Sequence, residues 1–355
     1  NNTLDGVTVD GTLRLSYSSS DLRLLNGTTF TTAVLSGNGS RLLVDSLTPI
    51  TGTVQYVGTA GSGRNLSGIG AATITISPTG VVETVAGFTE NGVIGDANDT
   101  VINQGTIRSQ VSGRSVVIAA PNWTNEGTVE ATSGGKLDIA GNPTNYDPVS
   151  KTLTGGNWQA ISGGEIIPPS GTDIVILNGS VLIEGSGSSF GQGSGISAFA
   201  NLTSIAEHGS LTWAFGGTFT TVGPLTVAGT VNVGASSAIV INAGDDLTLL
   251  QGATLTGRGT IDGSVVVGDG ARVLTGTYKF PSSSLDESPV LYLDFEKGFS
   301  DQSGFGNNAF VDSRSAAGSV VTTVADGISG EALSIDGLGW LAIPNSVSYT
   351  HLRAH

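Results

Sequence analysis

Apolar and polar residues alternate in short runs along most of the chain. In "GTIRSQV", Ile107 and Val111 fall on one side of an extended strand, and "GTVEATSGGKLDIAG" repeats the arrangement with Val129 and Leu137. Alternation over about four to seven positions, interrupted by Gly, Ser and Asn, is typical of half-buried β-strands joined by tight turns. The pattern therefore predicts many short strands and no long helices.

The same short motif returns at a fixed distance. "NQGTI" at 103–107 comes back twenty-two residues later as "NEGTV" at 125–129, and runs of this kind extend from "LDGVTVDGTLRLS" at Leu4 to "TLTGRGTIDGSVV" at Thr254. A coil of about 20 residues cannot bury its apolar side alone, whereas stacked coils share one continuous core. The sequence therefore predicts an all-β fold in which residues 1–281 form a right-handed parallel β-helix, or β-solenoid.

The repeated Asn has an expected place in such a solenoid. Equivalent positions of successive coils lie about 4.8 Å apart, so Asn103 and Asn125 should occupy the same corner, with their amides hydrogen-bonded along the axis. Asn and Gly suit these corners because they adopt positive φ at low cost. The competing all-β architecture is one sandwich or several. The repeat shared between distant segments and an aromatic content of only 6% argue against it.

Two stretches depart from the repeat. "GNPTNYDPVSKTLTGGNWQ", residues 141–159, contains two Pro and a Tyr, and we interpret it as a joint between solenoid segments at 1–140 and 160–281. "GTYKFPSSSLDESP", residues 276–289, contains the Pro and Ser cluster that is typical of linkers. The linker itself is placed at residues 282–288.

Charge and composition limit the partners. The chain has 29 acidic and 14 basic residues, a formal net charge of −15, which repels nucleic acid and anionic lipid. No nucleic acid partner is expected, and no apolar stretch approaches the roughly 20 residues that span a bilayer. The absence of Cys excludes disulfides, thiolate ligands and thiol nucleophiles, and it fits a large exported bacterial protein.

Both ends of the sequence affect its interpretation. The chain contains no Met and begins "NNTLDG", so we expect a fragment of a longer protein in which a signal peptide cannot be judged. The last residues, "VSYTHLRAH" at 347–355, resemble a translated sequencing adapter, a recurrent artefact at the ends of assembled metagenomic genes. They include His351 and His355, two of the three His. Schemes built on these two side chains are dropped, which leaves His208.

The solenoid-like part resembles a known class of proteins. The runs quoted from Leu4 and Thr254, together with "VINQGTIRS" from Val101, "NWTNEGTVEATSGGKLDIAG" from Asn122 and "LTGGNWQ" from Leu153, are similar to the large β-strand-repeat surface proteins of environmental bacteria. Those proteins are similar in their repeat pattern to autotransporter passengers and filamentous adhesins. The resemblance covers most of the chain. It implies an extracellular or cell-surface protein whose solenoid acts as a stalk or adhesive fibre.

The sequence pattern changes after the linker. "PVLYLDFEKGFSDQSGFGNNAF" and "GISGEALSIDGLGWLAIPNS", within residues 289–346, resemble the opening of a laminin-G-like, concanavalin A-like jelly-roll sandwich, here only its first portion. The resemblance implies a module that binds glycans or glycoproteins. Members often hold Ca²⁺ through oxygen ligands, and Asp301 and Asn307 are the matching donors; no other cofactor is expected. The alternative is a plain turn in which Asp301 caps backbone N–H groups.

A β-helix can also carry a catalytic groove, as pectate-lyase-like and polygalacturonase-like solenoids do. Hydrolysis of a glycoside needs two carboxylates that face each other. The acidic candidates are Asp96, Asp99, Glu165, Asp245 and Asp246. Each lies in a Gly- or Asn-flanked turn, where a solvated carboxylate is the ordinary outcome, and adjacent Asp245 and Asp246 would point to opposite faces of a strand. The sequence therefore assigns no catalytic residue, and we expect no enzymatic activity.

His208, in "AEHGSLTW", is the one credible titrating base and lies near Glu207 and Trp213 in the sequence. A His beside a Gly turn is more often a surface residue. Two functions stay open: a non-catalytic surface or secreted protein that presents a glycan-binding module, or a polysaccharide-active lyase or glycoside hydrolase. The enzyme would need Asp, Arg and Lys clustered on one coil face, and the 14 basic residues show no such cluster.

Overall fold

The computed structural model describes residues 2–59, 61, 63–191 and 197–274, together with the backbone of four short strands between 310 and 342. The chain divides into two units, 1–279 and 280–355. Secondary structure in the described residues is almost entirely β-strand, and one 3₁₀ turn spans Ser197–Phe199. No helix in this part of the chain is long and apolar enough to cross a bilayer.

The first unit is a succession of short strands in its described residues. In chain order they are β1 (Asn2–Asp5), β2 (Thr8–Leu15), β3 (Asp21–Leu25), β4 (Thr29–Leu35), β5 (Arg41–Val44), β6 (Thr53–Tyr56), β7 (Arg64–Gly68), β8 (Thr73–Ile76), β9 (Val81–Thr84), β10 (Gly92–Ile94), β11 (Thr100–Asn103), β12 (Thr106–Ser109), β13 (Ser115–Ile118), β14 (Asn122–Asn125), β15 (Thr128–Thr132), β16 (Lys136–Ile139), β17 (Tyr146–Asp147), β18 (Thr152–Ile161), β19 (Glu165–Ile167), β20 (Ile176–Glu184), β21 (Ser189–Phe190), β22 (Ser204–Ile205), β23 (Ser210–Ala214), β24 (Thr218–Thr220), β25 (Leu225–Val227), β26 (Thr230–Val233), β27 (Ala238–Val240), β28 (Asp246–Leu249), β29 (Thr254–Gly257), β30 (Thr260–Asp262), β31 (Ser264–Val267) and β32 (Arg272–Leu274).

These strands stack in parallel as a solenoid, which confirms the predicted architecture. Sheet A contains β1, β3, β5, β7, β10, β13, β16, β19 and β21. Sheet B runs the whole height through β2, β4, β6, β9, β12, β15, β18 and β20, and then continues as two tandem rows, β22–β25–β28–β31 and β23–β26–β29–β32. Sheet C is β8, β11 and β14, and sheet D is β24, β27 and β30. Sheet B thus has twelve rungs among the described residues.

The coils differ in length while the pairing stays in register. Thr254 pairs with Arg272, eighteen residues later, whereas Ser180 pairs with Ser210, thirty residues later. Extra residues therefore fall in the turns, where they leave the parallel hydrogen bonds intact. This arrangement explains why the sequence repeat is visible in the strands and blurred between them.

The core is built from columns of side chains that stack on one another. Most strands alternate half-buried and buried positions, as β12 and β15 do. The inward column of sheet B consists of Leu13, Ala33, Val54, Val82, Ile107, Val129, Trp158, Val181, Leu211, Val231 and Leu255, and it ends at Val273, which is exposed. Each fully buried large aliphatic side chain stabilises the fold by about 1.5–3 kcal/mol. The alternation read from the sequence is therefore the inside–outside pattern of the coils.

Aromatic rings fill the middle of the stack. Trp123 and Trp158 pack edge to face with ring centroids 5.6 Å apart, and Phe190 continues the contact at 6.1 Å from Trp158. Phe199 follows at 5.1 Å from Phe190. Such offset and edge-to-face pairs contribute about 0.5–1.5 kcal/mol beyond their buried area. These four rings therefore hold neighbouring coils together.

The corner predicted for the repeated Asn is confirmed. Asn103 and Asn125 end β11 and β14 and pair in register. Both are fully buried, and Asn103 Nδ2 donates a hydrogen bond to Asn125 Oδ1 at 2.8 Å. Asn145 extends the ladder: its Oδ1 accepts from the backbone N–H of Asn125 at 2.7 Å. The buried amides thus satisfy backbone groups that the turns leave unpaired.

Residues 141–159, interpreted from the sequence as a joint, are part of the stack. Strand β17 pairs antiparallel with the start of β18, and the rest of β18 pairs in parallel with β15 and β20. The parallel pairing of β18 carries the stack of coils through this stretch, which adds a small hairpin. Tyr146 anchors the hairpin because its ring is buried and its hydroxyl donates to the carbonyl of Asp173 at 2.9 Å.

The second unit is described only as strand backbone. In it, β33 (Phe310–Val311) pairs antiparallel with β36 (Leu341–Ala342), and β34 (Val321–Gly327) pairs antiparallel with β35 (Gly330–Ile335). The linker at 282–288, most of 289–346 and the terminal residues 347–355 lie outside the described residues. The laminin-G-like jelly roll therefore stays a prediction.

Glycine stacking at the repeat corner generates a stability prediction. A Cβ added at Gly127 would overlap the carbonyl oxygen of Gly105 in the coil below. We expect Gly127→Ala to lower the free energy of unfolding by about 1–3 kcal/mol, as overpacking does, and to lower the midpoint of urea unfolding followed by circular dichroism. Gly223→Ala is the control, because no heavy atom lies within 4 Å of an added Cβ there. Equal midpoints for the two variants would contradict the stacking.

Candidate functional site

The carboxylate of Asp99 is not solvated, contrary to the expectation for a turn residue. It is 1% exposed and accepts hydrogen bonds from the backbone N–H groups of Gly68 at 2.9 Å, Ala72 at 3.3 Å and Asp96 at 3.0 Å. Asp99 therefore fastens its own turn to the coil below. Asp96 is exposed, and its carboxylate accepts from the N–H of Asn98 at 2.8 Å. Both acids hold turns, and they do not face each other across a groove.

The remaining acidic candidates are Glu165, which is engaged in an ion pair, and Asp245 and Asp246. Glu165 begins β19 beside Lys136, whose Nζ lies 2.7 Å from its carboxylate. Asp245 and Asp246 are half-buried at the start of β28, and the N–H of Asp245 donates to the carbonyl of Asn242 at 3.0 Å. The strands that carry these acids belong to different coils. Among the described residues, the candidates therefore form no facing pair.

His208 and Trp213 do not share a site. His208 and Glu207 lie exposed on a turn, where the backbone N–H of His208 donates to Asn178 Oδ1 at 3.3 Å. Trp213 is fully buried and packs on Phe219 with ring centroids 5.4 Å apart. Although the two residues are close in the sequence, His208 lies on the surface of its coil and Trp213 lies in the core.

No metal cluster appears in the part of the chain that the structure describes. No group of three or more His, Asp or Glu side chains there could hold an ion. A crevice lined by Tyr146, Leu153, Trp158 and Phe190 among others is apolar. Asp301 lies outside the described residues, as does Asn307, so the calcium site stays a prediction.

Polar side chains on the outside of sheet B form two different faces. In the N-terminal coils they pair with one another: Arg108 lies between Glu83 at 3.6 Å and Glu130 at 3.2 Å, and Gln55 Nε2 donates to Glu83 at 3.0 Å. In-register stacking places these groups one rung apart. Opposite charges on adjacent strands stabilise the pairing, each by roughly 0.2–1 kcal/mol.

From β20 to β29 most outward positions carry hydroxyl or amide groups instead. We call this surface the hydroxyl face. It consists of Ile176, Asn178, Ser180, Leu182, Ser204, Ser210, Thr212, Thr226, Thr230, Asn232, Thr248, Thr254 and Thr256. The sequence analysis did not single it out, although Thr and Ser at alternate strand positions were its visible signal.

Known proteins offer little likeness to this chain. Among solved structures, the crystal structure of a TibC-catalysed hyper-glycosylated TibA fragment is similar over 80% of this chain and 98% of that chain, with 14% identical residues and a TM-score of 0.32. No family model matches the sequence, and no curated protein matches it.

The buried Asn ladder generates a second stability prediction. Asn125→Ala removes the acceptor of the bond from Asn103 and the donor to the carbonyl of Asn157 at 3.3 Å. We expect a loss of about 1–3 kcal/mol, because buried polar groups lose their partners, measured by urea unfolding. Asn232→Ala is the control, since Asn232 lies on the half-exposed outer surface; it should change stability by less than about 0.5 kcal/mol. Similar losses in both variants would contradict the role of the ladder.

The ion pair between Asp21 and Arg41 generates a pH prediction. Arg41 Nε donates to Asp21 Oδ1 at 2.8 Å, and this hydrogen bond holds the pKa of Asp21 below its ordinary value. A depressed carboxyl pKa contributes stability above the unfolded pKa, about 3.9, and this contribution is lost as the pH falls through the folded pKa.

We therefore expect Arg41→Met to destabilise the protein at neutral pH by less than about 1 kcal/mol, as for an exposed pair. The difference from the unaltered protein should shrink towards zero as the pH falls below about 4. Urea unfolding at several pH values tests this expectation. Arg14→Met, at another exposed position of the outer surface, is the control. A difference that is independent of pH would contradict the assignment.

Proposed function

We propose that this chain is a non-catalytic, adhesin-like repeat protein of a bacterial surface or secretion, in which the solenoid is a spacer for a C-terminal glycan-binding module. The observation that carries the proposal is that polar side chains of the solenoid serve to join neighbouring coils. The buried Asn ladder, the clamped carboxylate of Asp99 and the ladder of Glu83, Arg108 and Glu130 all join one coil to the next.

The geometry of the stack suits a spacer. Twelve rungs spaced about 4.8 Å apart span roughly 50 Å along the axis. Each coil contacts mainly its neighbours, so such a stack can lengthen by repetition without a new kind of interface. A stack of this length would suit the role of a spacer.

The acidic residues support this function over the polysaccharide-active alternative. A lyase or glycosidase needs carboxylates that are free to meet the substrate from two sides of one groove. Asp99 is saturated by three backbone N–H groups, and Glu165 is paired with Lys136. These acids are committed to the fold, which favours a structural role.

The binding end of the proposed molecule is the unit that resembles the laminin-G-like family. Its partners would be glycans or glycoproteins outside the cell. Asp301 and Asn307 would supply oxygen ligands for a Ca²⁺ ion, which prefers carboxylate and amide oxygens. The net charge of −15 favours neutral or cationic partners over polyanions.

The proposal is tested on the full chain with a glycan array and with polysaccharide turnover assays. We expect glycan binding that is reduced by a chelator and lost in Asp301→Ala combined with Asn307→Ala. The neighbouring Asn308→Ala is the control and should bind as the unaltered protein does. Turnover of a polysaccharide that is abolished by Asp245→Asn or Asp246→Asn would establish the enzyme alternative and overturn the proposal.

A further inference from the structure

We propose that the hydroxyl face of sheet B is itself a binding surface for a neutral, linear polysaccharide. The inference deepens the proposed function, on which it rests, because it places a second glycan contact on the solenoid. The first step is the arrangement of the outward groups. Ser180, Ser210, Thr230 and Thr254 stack in register over four consecutive rungs.

The face is broad as well as long. Two residues further along each strand, Leu182, Thr212, Asn232 and Thr256 form a second column. A third column begins at Ile176 of β20 and continues in the tandem row with Ser204, Thr226 and Thr248. Neighbouring rungs are about 4.8 Å apart, and outward residues of one strand are about 6.6 Å apart. The columns therefore present an even array of hydrogen-bonding groups along the axis.

These groups are free to bind a partner. Apart from Asn178, which accepts a bond from the N–H of His208, the Ser, Thr and Asn side chains of the hydroxyl face make no hydrogen bond to other described residues. In the N-terminal half of the same sheet the column that leads to Leu182 differs, because Glu83, Arg108 and Glu130 bind one another beside Thr106 and Thr128. Each free hydroxyl can donate one hydrogen bond and accept others.

Charge indicates which partner fits. In a chain with a net charge of −15, the hydroxyl face carries no charged residue. Its charged neighbours include Asp246, the first residue of β28, Glu184, the last of β20, and Arg272, which pairs with Thr254 on the next rung. An anionic polymer would meet a molecule of high net negative charge, whereas a neutral polymer meets no opposing charge.

The composition of the face favours a polysaccharide over a second copy of the chain. The centres of protein–protein interfaces are enriched in aromatic and other apolar anchor residues. The hydroxyl face offers two large apolar side chains, Ile176 and Leu182, both on β20, and no aromatic ring. A neutral polysaccharide presents hydroxyl groups at regular intervals, so it can exchange many weak hydrogen bonds with a regular array.

The test uses paired lysine substitutions in the full chain. Thr230→Lys with Thr254→Lys places two long cationic side chains on adjacent rungs of the hydroxyl face. The matched control is Thr106→Lys with Thr128→Lys, which changes adjacent rungs of the same outward column in the N-terminal half. Both pairs alter the net charge equally. Circular dichroism and the urea midpoint verify that each variant is folded.

Binding is measured by co-sedimentation with two insoluble neutral polysaccharides, microcrystalline cellulose and curdlan, and with calcium pectate gel as the acidic arm. We expect the unaltered protein and the control pair to bind at least one neutral polymer and not pectate. The pair at positions 230 and 254 should bind that polymer at least about tenfold more weakly, the effect of losing one or two hydrogen bonds and the close approach.

The other outcomes overturn the inference. Absence of binding to either neutral polymer does so, as does equal loss in both lysine pairs. If binding persists in both pairs and disappears in Asp301→Ala combined with Asn307→Ala, the glycan is held elsewhere, and the proposed function survives without this face. If the lysines at 230 and 254 change the molar mass in light scattering instead of polysaccharide binding, the face contacts a second copy.

Discussion

Parallel backbone hydrogen bonding in register is the constraint on which the rest of this molecule depends. Because each strand pairs with the equivalent strand of the next coil, every side chain lies over a counterpart about 4.8 Å away. Apolar residues then form continuous interior columns, and a buried amide such as Asn103 meets the amide of Asn125. At the same corner, Gly127 must lack a side chain, since the carbonyl oxygen of Gly105 occupies that space.

The same constraint gives the outside of the solenoid its chemistry. A column of like charges would repel at this spacing, so charged columns must alternate in sign, as Glu83, Arg108 and Glu130 do. Hydroxyl and amide columns carry no such penalty and can run for many rungs. In sheet B the column of Glu83, Arg108 and Glu130 uses the first solution, and the column of Ser180, Ser210, Thr230 and Thr254 uses the second. A uniform backbone thereby carries two different surfaces.

In the turns, single polar side chains hydrogen-bond to backbone groups and connect neighbouring coils. Asp99 is buried by the turn that it closes, and its three N–H contacts leave the carboxylate no open side. Tyr146 plays a comparable part in the hairpin of β17 and β18, where its hydroxyl reaches the carbonyl of Asp173. In both cases a residue that looks exceptional in the sequence serves the connection between coils. Chemistry directed at a ligand is therefore expected on the strand faces and in the second unit.

Local sequence determined the strands, their inward and outward positions and the corner shared by Asn103 and Asn125, because alternation and turn composition act over a few residues. Only the tertiary structure decided the burial of Asp99, the continuity of the coils through 141–159 and the assembly of the hydroxyl face. The physical reason is the distance along the chain between pairing partners, from eighteen residues at Thr254 to thirty at Ser180. Local periodicity does not specify which distant strands pair with each other. The hydroxyl face is formed by side chains of such paired strands, so local sequence could not predict it.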